Sequence, residues 1–266
     1  MKQYRTKEIY GDLYENEGKP LAVVLWGSWA GLPNNLKEYL QKYLEDNYNL
    51  LLLAYFGVGS LVETLECVPI EYFINAIRIV QKEYNISDEN MVIIGQSKGA
   101  EAALLLTEHI KSSITIACVP GCYVFQGLTI SEKSQNPVTK ESVKNPKSSW
   151  TFNGRELSYI KFYFDDEILE AAKNKNFCKC YEKSIEKNYN EDAIISIDDY
   201  KGNILLISEE NDIYWPSKKM CNILIENNKN KDNLEHITLK LEGHYLLRYN
   251  ESSNVIIEYL QNNYSN

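Results

Sequence analysis

The stretch MVIIGQSKGAEAALLLTEHI, residues 91–110, changes character at its centre. Met91 to Gly95 is a short apolar run of the kind that forms a strand buried on both faces, whereas Lys98 to Ile110 is rich in alanine and leucine, which favour helix. Between them lies Gly95-Gln96-Ser97-Lys98-Gly99. A GxSxG string alone is a weak signal, because serine is a preferred helix N-cap and glycine is common in turns. Set between a strand and a helix, it reads as a nucleophile elbow. The serine stands on a tight, strained turn, small residues on either side let neighbouring backbone pass, and the helix N-terminus behind it favours developing negative charge.

Outward from this point, apolar runs alternate with longer amphipathic stretches, as in an α/β fold whose helices cover both faces of a mostly parallel sheet. Leu21–Trp26, Leu50–Tyr55, Ile114–Val119 and Ile204–Ser208 read as further buried strands, and Ile237–Leu241 as a weaker, alternating one. Helices are expected over Asn35–Asn47, Pro69–Tyr84, Lys98–Ile110 and Asn254–Tyr264. The alternation breaks from Tyr123 to about Tyr200, where prolines and aromatics precede a Lys-rich helical stretch from Glu167 to Asn188. Insertions after strand ends in such sheets lie over the ligand crevice, so residues 123–200 are expected to form a lid within one domain spanning 1–266.

The chain has 266 residues, a formal net charge of −9, and ordinary hydrophobic (44%) and charged (24%) fractions. The negative charge argues against nucleic acid or an anionic membrane as a partner. Residues 1–20 contain no apolar run of the kind a secretory signal needs, nothing approaches the length of a membrane span, and the six cysteines do not form a small-scaffold disulfide framework. A reduced, cytoplasmic setting is the expectation. Cys178/Cys180 and Cys118/Cys122 lack the paired CxxC and histidine spacing of zinc sites, so no metal and no cofactor is expected.

A serine hydroxyl needs a base within hydrogen-bond reach, and in this strand order the acid and then the histidine follow the nucleophile. Of the three histidines, His244 follows the last expected strand, while His109 falls near the end of the elbow helix and His236 at a strand start. The acid is sought after Ile204–Ser208, in Glu209-Glu210-Asn211-Asp212. Asp212 is the choice, and Glu209 and Glu210 read as solvated loop charges. His244 would take the Ser97 proton and Asp212 would hold the imidazole. The oxyanion would be met by the backbone N–H of Lys98 and by a second donor after Leu21–Trp26, with Ser28 the first choice and Trp29 the second.

Several segments together resemble the catalytic domain of the acyl-CoA thioester hydrolase and bile acid-CoA:amino acid N-acyltransferase family. They are LWGSWAGL, LLLAYFG with the later IEYFINAI, VIIGQSKGAEAALLL, AIISIDDYKGNILLIS with NDIYWPS, and EGHYL. The run SKGAE followed by DxxWPS is more particular than the elbow. The resemblance implies an α/β-hydrolase fold and cleavage of an acyl thioester through Ser97, Asp212 and His244. It also implies that serine, where family members that transfer to an amino acid carry cysteine, favours water as acceptor. Set beside the family, the chain is expected to depart from the animal enzymes in having no amino-terminal β-sandwich domain. Trp29 and Ala30 stand where the family's oxyanion loop has glycines, and Glu209 stands where a glycine follows the acid-bearing strand. If coenzyme A leaves, its phosphates call for cations, and Lys173, Lys175, Lys179 and Lys183 are candidates beside their reading as a solvated helix face.

The expected function is therefore a serine hydrolase of acyl thioesters with a small-molecule substrate. The alternatives are a carboxylesterase or dienelactone-hydrolase-like esterase and, in another class, a ligand-binding module that has lost turnover.

Overall fold

The computed structural model describes residues 1–131, 133–134, 137–229, 231–241 and 243–264. Glu242 of the EGHYL segment, and Glu132, Gln135 and Asn136 of the 123–200 stretch, lie outside the described residues. Eight strands form one sheet: β1 (Lys2–Arg5), β2 (Tyr10–Tyr14), β3 (Leu21–Leu25), β4 (Asn49–Leu53), β5 (Met91–Gln96), β6 (Ile114–Cys118), β7 (Asn203–Glu209) and β8 (Leu234–Leu239). Their spatial order is β1-β2-β4-β3-β5-β6-β7-β8. The β1/β2 and β2/β4 pairings are antiparallel and the rest are parallel. The helices are α1 (Glu38–Asn47), α2 (Ile70–Tyr84), α3 (Lys98–Leu106), α4 (Lys140–Lys144), α5 (Asp166–Lys173), α6 (Phe177–Asn188), α7 (Ser217–Asn227) and α8 (Asn250–Asn263).

The central strands are mostly apolar because both faces are covered. Leu21, Val23 and Leu25 share one core with Phe73, Ile77 and Val80 of α2 and Met220 and Leu224 of α7. Ala22 and Val24, pointing the other way, share a second core with Leu40 and Leu44 of α1 and Ile256 and Leu260 of α8. Each fully buried Leu or Ile contributes roughly 1.5–3 kcal/mol. From β3 the chain crosses to β4 on one side, and from β5 to β6 on the other. That reversal opens a crevice beyond the carboxyl ends of β3 and β5, where the sequence places Gly27–Trp29 and Ser97.

Several elements differ from expectation. The β1–β2 hairpin is half-exposed and carries little apolar signal. Helix α7 is an addition to the expected helices: it buries Ser217, Met220, Cys221 and Leu224 on one face, and with serine at the first of these positions only three of the four are apolar. Strand β8 begins at Leu234 rather than Ile237, because its register against β7 runs from Ile204↔Leu234 to Glu209↔Leu239. The single helical stretch expected over Glu167–Asn188 is two helices. Asn174 caps the end of α5, Lys175 takes φ 57°, and the Asn176 side chain accepts from Lys179 N at 3.3 Å. Asparagine side chains compete for backbone in this way and favour helix ends over interiors.

Between β6 and β7 the chain leaves the sheet. Its base is pinned by bridges Tyr123↔Ile194 and Phe125↔Ile160, and Trp150–Phe152 pairs in parallel with Val68–Pro69 ahead of α2. No helix among the described residues is long and apolar enough to cross a membrane.

Candidate active site

Ser97 stands between β5 and α3 with φ 58° and ψ −120°, a left-handed conformation that costs a non-glycine residue on the order of 1–3 kcal/mol. Its N–H donates to Cys118 O at 2.9 Å, and its carbonyl accepts from Ala100 N and Glu101 N at 3.0 Å. The flanking glycines have a steric cause. A Cβ at Gly95 would lie 2.2 Å from Gly99 O, and one at Gly99 would lie 2.1 Å from Trp26 O. Gln96 fixes a second segment here, its Oε1 accepting from Leu247 N at 2.8 Å.

Three buried side chains form one hydrogen-bonded line. His244 Nε2 lies 2.7 Å from Ser97 Oγ, and His244 Nδ1 lies 2.8 and 2.9 Å from Asp212 Oδ1 and Oδ2. The Nδ1 contact to a carboxylate sets the tautomer, leaving Nε2 free to accept from the hydroxyl. Asp212 is held by its own turn, Oδ1 accepting from Tyr214 N at 2.9 Å, and Trp215 Nε1 donates to Val119 O at 3.1 Å, fastening that turn to the end of β6. The rings of Tyr214, Trp215 and Tyr245 surround the imidazole at centroid distances of 4.8, 5.6 and 5.6 Å and leave His244 3% exposed. The other histidines lie elsewhere. His109 stacks on Phe152, and His236 Nε2 lies 2.8 Å from Ser208 Oγ, its pKa lowered by burial and then by Lys218.

The neighbouring carboxylates divide. Glu210 pairs with Lys218 at 2.8 Å on the surface, as a loop charge should. Glu209 does not behave as a solvated charge, being only 1% exposed. It is the last residue of β7. Its Oε1 accepts from Asn211 N at 3.3 Å and its Oε2 from Leu241 N at 2.8 Å. One carboxylate thus ties the turn bearing Asp212 to the segment leading into His244. Its position immediately after a buried strand, where a glycine would have served, was the only signal in the sequence.

Lys98 opens α3, so its N–H has no intrahelical acceptor. Across the crevice, the N–H groups of Ser28 and Trp29 have no acceptor among the described residues. That loop is aimed from below by Tyr55, whose hydroxyl lies 2.7 and 2.6 Å from Trp26 O and Gly27 O. Trp29 is 46% exposed at the mouth. Its Nε1 donates to Tyr245 OH at 3.3 Å, and Tyr245 OH donates to Tyr214 OH at 3.2 Å, an arch over the imidazole.

A cavity of about 370 Å³ reaches Ser97 and His244, with Ser28, Trp29, Tyr181 and Lys175 among its walls. A second, apolar cavity of about 510 Å³ shares Leu128, Pro137, Phe177 and Tyr181 with the first and runs on between α4, α5 and α6. Of the four lysines singled out above, Lys173, Lys179 and Lys183 pair with Glu170, Glu167 and Glu186. Lys175, exposed at the α5–α6 break, lines the first cavity instead. All six cysteines are free thiols, and the described residues hold no group of three or more His, Cys, Asp or Glu able to bind a metal ion.

Known proteins share the fold and, over part of the chain, the sequence. The fold is shared with an esterase from Pyrococcus furiosus (TM-score 0.62, 14% identity, covering 97% of this chain and 87% of that one). It is also shared with a serine hydrolase from Cycloclasticus zankles (TM-score 0.59, 15% identity, covering 100% and 99%). In sequence, the chain is 32% identical over 128 residues to mouse acyl-coenzyme A thioesterase 6, covering 45% of this chain and 30% of that protein. It is 30% identical over 122 residues to mouse acyl-coenzyme A amino acid N-acyltransferase 1, covering 45% and 29%. The matched region thus spans less than a third of these curated relatives. Residues 68–248, more than half of the chain, match the family described as BAAT / Acyl-CoA thioester hydrolase C terminal, and the chain belongs to that family.

Proposed function

We propose that the chain is a serine hydrolase that cleaves acyl thioesters, with acyl-CoA as the substrate and residues 123–200 as the lid over the site. The observation that carries this reading is the Ser97–His244–Asp212 line, with its 2.7 and 2.8 Å contacts, at the floor of a cavity that adjoins an apolar one.

In this reading His244 Nε2 takes the hydroxyl proton as Ser97 Oγ attacks the thioester carbonyl carbon. Asp212 stabilises the imidazolium. The carbonyl oxygen becomes an oxyanion held by Lys98 N–H and by a second donor, Ser28 N–H ahead of Trp29 N–H. Collapse breaks the C–S bond, and the thiolate leaves with the proton from His244. Water then attacks the acyl-enzyme with His244 as base, releasing the carboxylic acid and restoring Ser97. The acyl chain lies along the apolar walls towards the second cavity, and the exposed Lys175 faces the phosphates of the leaving group.

The same acylation step serves oxygen esters, so initial rates with a panel of acyl-CoAs and matched p-nitrophenyl esters separate the two classes. Thioesters are expected to be the better substrates, and a preference for oxygen esters at every chain length overturns the thioesterase reading. Ser97→Ala should cut hydrolysis on the order of 10⁴-fold. Retention of most activity would remove Ser97 as nucleophile. A folded wild-type protein that neither turns over nor reacts with a fluorophosphonate is a binding module instead.

A further inference from the structure

One pair of buried charges has no part in the proton transfers above. Lys98, the residue after Ser97, and Glu101, less than one turn along α3, have side chains 1% and 0% exposed. The Lys98 ammonium places all three of its donors: Glu101 Oε1 at 3.0 Å, Glu101 Oε2 at 2.9 Å and Ser149 Oγ at 2.8 Å. Ser149 Oγ passes its own proton to Phe125 O at 2.9 Å, and Trp150 Nε1 donates to Glu101 Oε1 at 2.7 Å. The ammonium also sits 5.7 and 5.9 Å from the ring centres of Phe125 and Trp150. The network joins the first turn of α3 to two separate segments of the insertion, one leaving β6 and one returning beside α2.

We propose that Lys98 and Glu101 are positioning residues, a buried ion pair that locks the first turn of α3, and the Lys98 N–H beside Ser97, to the base of the insertion. The inference rests on the reading of Ser97 as nucleophile and extends it to how the oxyanion donor is held. Lys98 serves twice in this reading: its main-chain N–H, at the first position of α3 and without an intrahelical acceptor, is the oxyanion donor beside Ser97, while its side chain is bonded within the network. A shift of the insertion's base is therefore felt at the donor. Stability alone is a poor reason for this arrangement, because an apolar pair of similar volume commonly replaces a buried ion pair without loss.

The charges also matter electrically. A cation in the first turn works against the helix dipole, and a lone carboxylate there would oppose an oxyanion; as a pair they cancel. Burial pushes the Glu101 carboxyl up and the Lys98 ammonium down, and their mutual attraction restrains both shifts. The other titratable groups near Glu101 are Tyr55 after β4, Cys122 just before the insertion and Tyr181 of α6. Burial raises all three, so they stay neutral at working pH. Removing Lys98 alone leaves Glu101 as the one charge in the pocket. As pH rises through the raised Glu101 pKa, that charge appears unpaired beside the oxyanion donor.

The test compares Lys98→Met, Trp150→Phe and the double variant Lys98→Met/Glu101→Leu with wild type, reading thermal midpoint, kcat, KM, the rate of fluorophosphonate labelling and hydrogen exchange. The double variant should melt within a few degrees of wild type yet lose at least tenfold in kcat and in labelling rate, with KM within about twofold. Lys98→Met should lose kcat as pH rises through a range where wild type is flat. Trp150→Phe, which removes the indole N–H bond and keeps a smaller aromatic ring in the site, should fold even if the others do not, and should lower kcat severalfold at constant KM. In each variant the amides of Gly99–Glu101 and of Phe125, Ser149 and Trp150 should lose exchange protection together. The inference is overturned if the double variant or Trp150→Phe keeps kcat within twofold, or if the two sets of amides lose protection independently. An unreactive wild type would sink the hydrolase reading instead, and the paired exchange would still decide whether this network couples elbow and insertion.

Discussion

The strand-end frame and the insertion build two halves of one cavity by different means. In the frame, key side chains are fixed by polar bonds at the strand ends: Asp212 accepts from Tyr214 N–H within its own turn, Trp215 donates to Val119 O just past β6, and Gln96 accepts from Leu247 N–H. The insertion contributes apolar walls, Leu128, Pro137, Phe177 and Tyr181, on short segments and on two helices separated by a break at Asn174–Asn176. Directional bonds fix reacting atoms, whereas apolar packing tolerates exchange of shape if volume is kept. The frame should therefore govern rate and the insertion should govern which acyl group is accepted.

Glu209 offers the hardest blow to the frame short of the Ser97–His244–Asp212 line. Glu209→Ala removes the acceptor for Asn211 N and Leu241 N together, two part-buried hydrogen bonds that tie the Asp212 turn to the segment before His244. A misplacement near 1 Å of Asp212 relative to His244 is expected to lower kcat by about 10²-fold. Glu209→Gln, which keeps one carbonyl acceptor, should lose less, and KM should change little in either. Steady-state kinetics decide, and wild-type kcat in Glu209→Ala would mean that the acid turn holds itself.

The insertion is tested by filling its cavity. Ala172 lies on α5 and is only half-buried, so Ala172→Trp should fold while placing an indole in the second cavity. Burial of each methylene contributes about 0.8 kcal/mol, or roughly fourfold in kcat/KM. Blocking the cavity should cut kcat/KM for decanoyl-CoA at least about tenfold and leave butyryl-CoA within about twofold. Equal losses at both lengths would place the acyl chain elsewhere.

The same division explains what could be read in advance. The elbow was legible because its chemistry is local: a buried strand, two glycines that no Cβ could replace, and a helix follow within sixteen residues. Strand order singled out Asp212 and His244, which the structure brings within 2.8 Å of each other. Glu209 was misread because burial of a loop carboxylate depends on two N–H groups, one of them 32 residues away, that no local pattern reveals. The β1–β2 hairpin was missed because a half-exposed antiparallel edge carries polar residues on its open face. The start of β8 was misplaced because an edge strand is set by its partner's register more than by its own apolar content. The lysines of residues 173–183 looked alike in sequence, and only the α5–α6 break separates Lys175 from the three that meet glutamates.

That separation gives the smallest expected effect and the one most specific to the leaving group. Lys175 is exposed, so water and salt screen its attraction for a phosphate, and contacts of this kind change binding only severalfold. Lys175→Ala should raise KM for an acyl-CoA about two- to fivefold at low ionic strength with kcat unchanged, and the difference from wild type should shrink as salt is added. A thioester of the same acyl group on a small uncharged thiol should show no change, because it carries nothing for the ammonium to meet. Lys179→Ala is the control, since Lys179 already faces Glu167 at 2.6 Å and its loss should leave KM where it was. If both thioesters respond equally to Lys175→Ala, the residue acts by shaping the cavity wall; if Lys179→Ala gives the larger effect, the phosphates lie along the outer face of α6 rather than at the break.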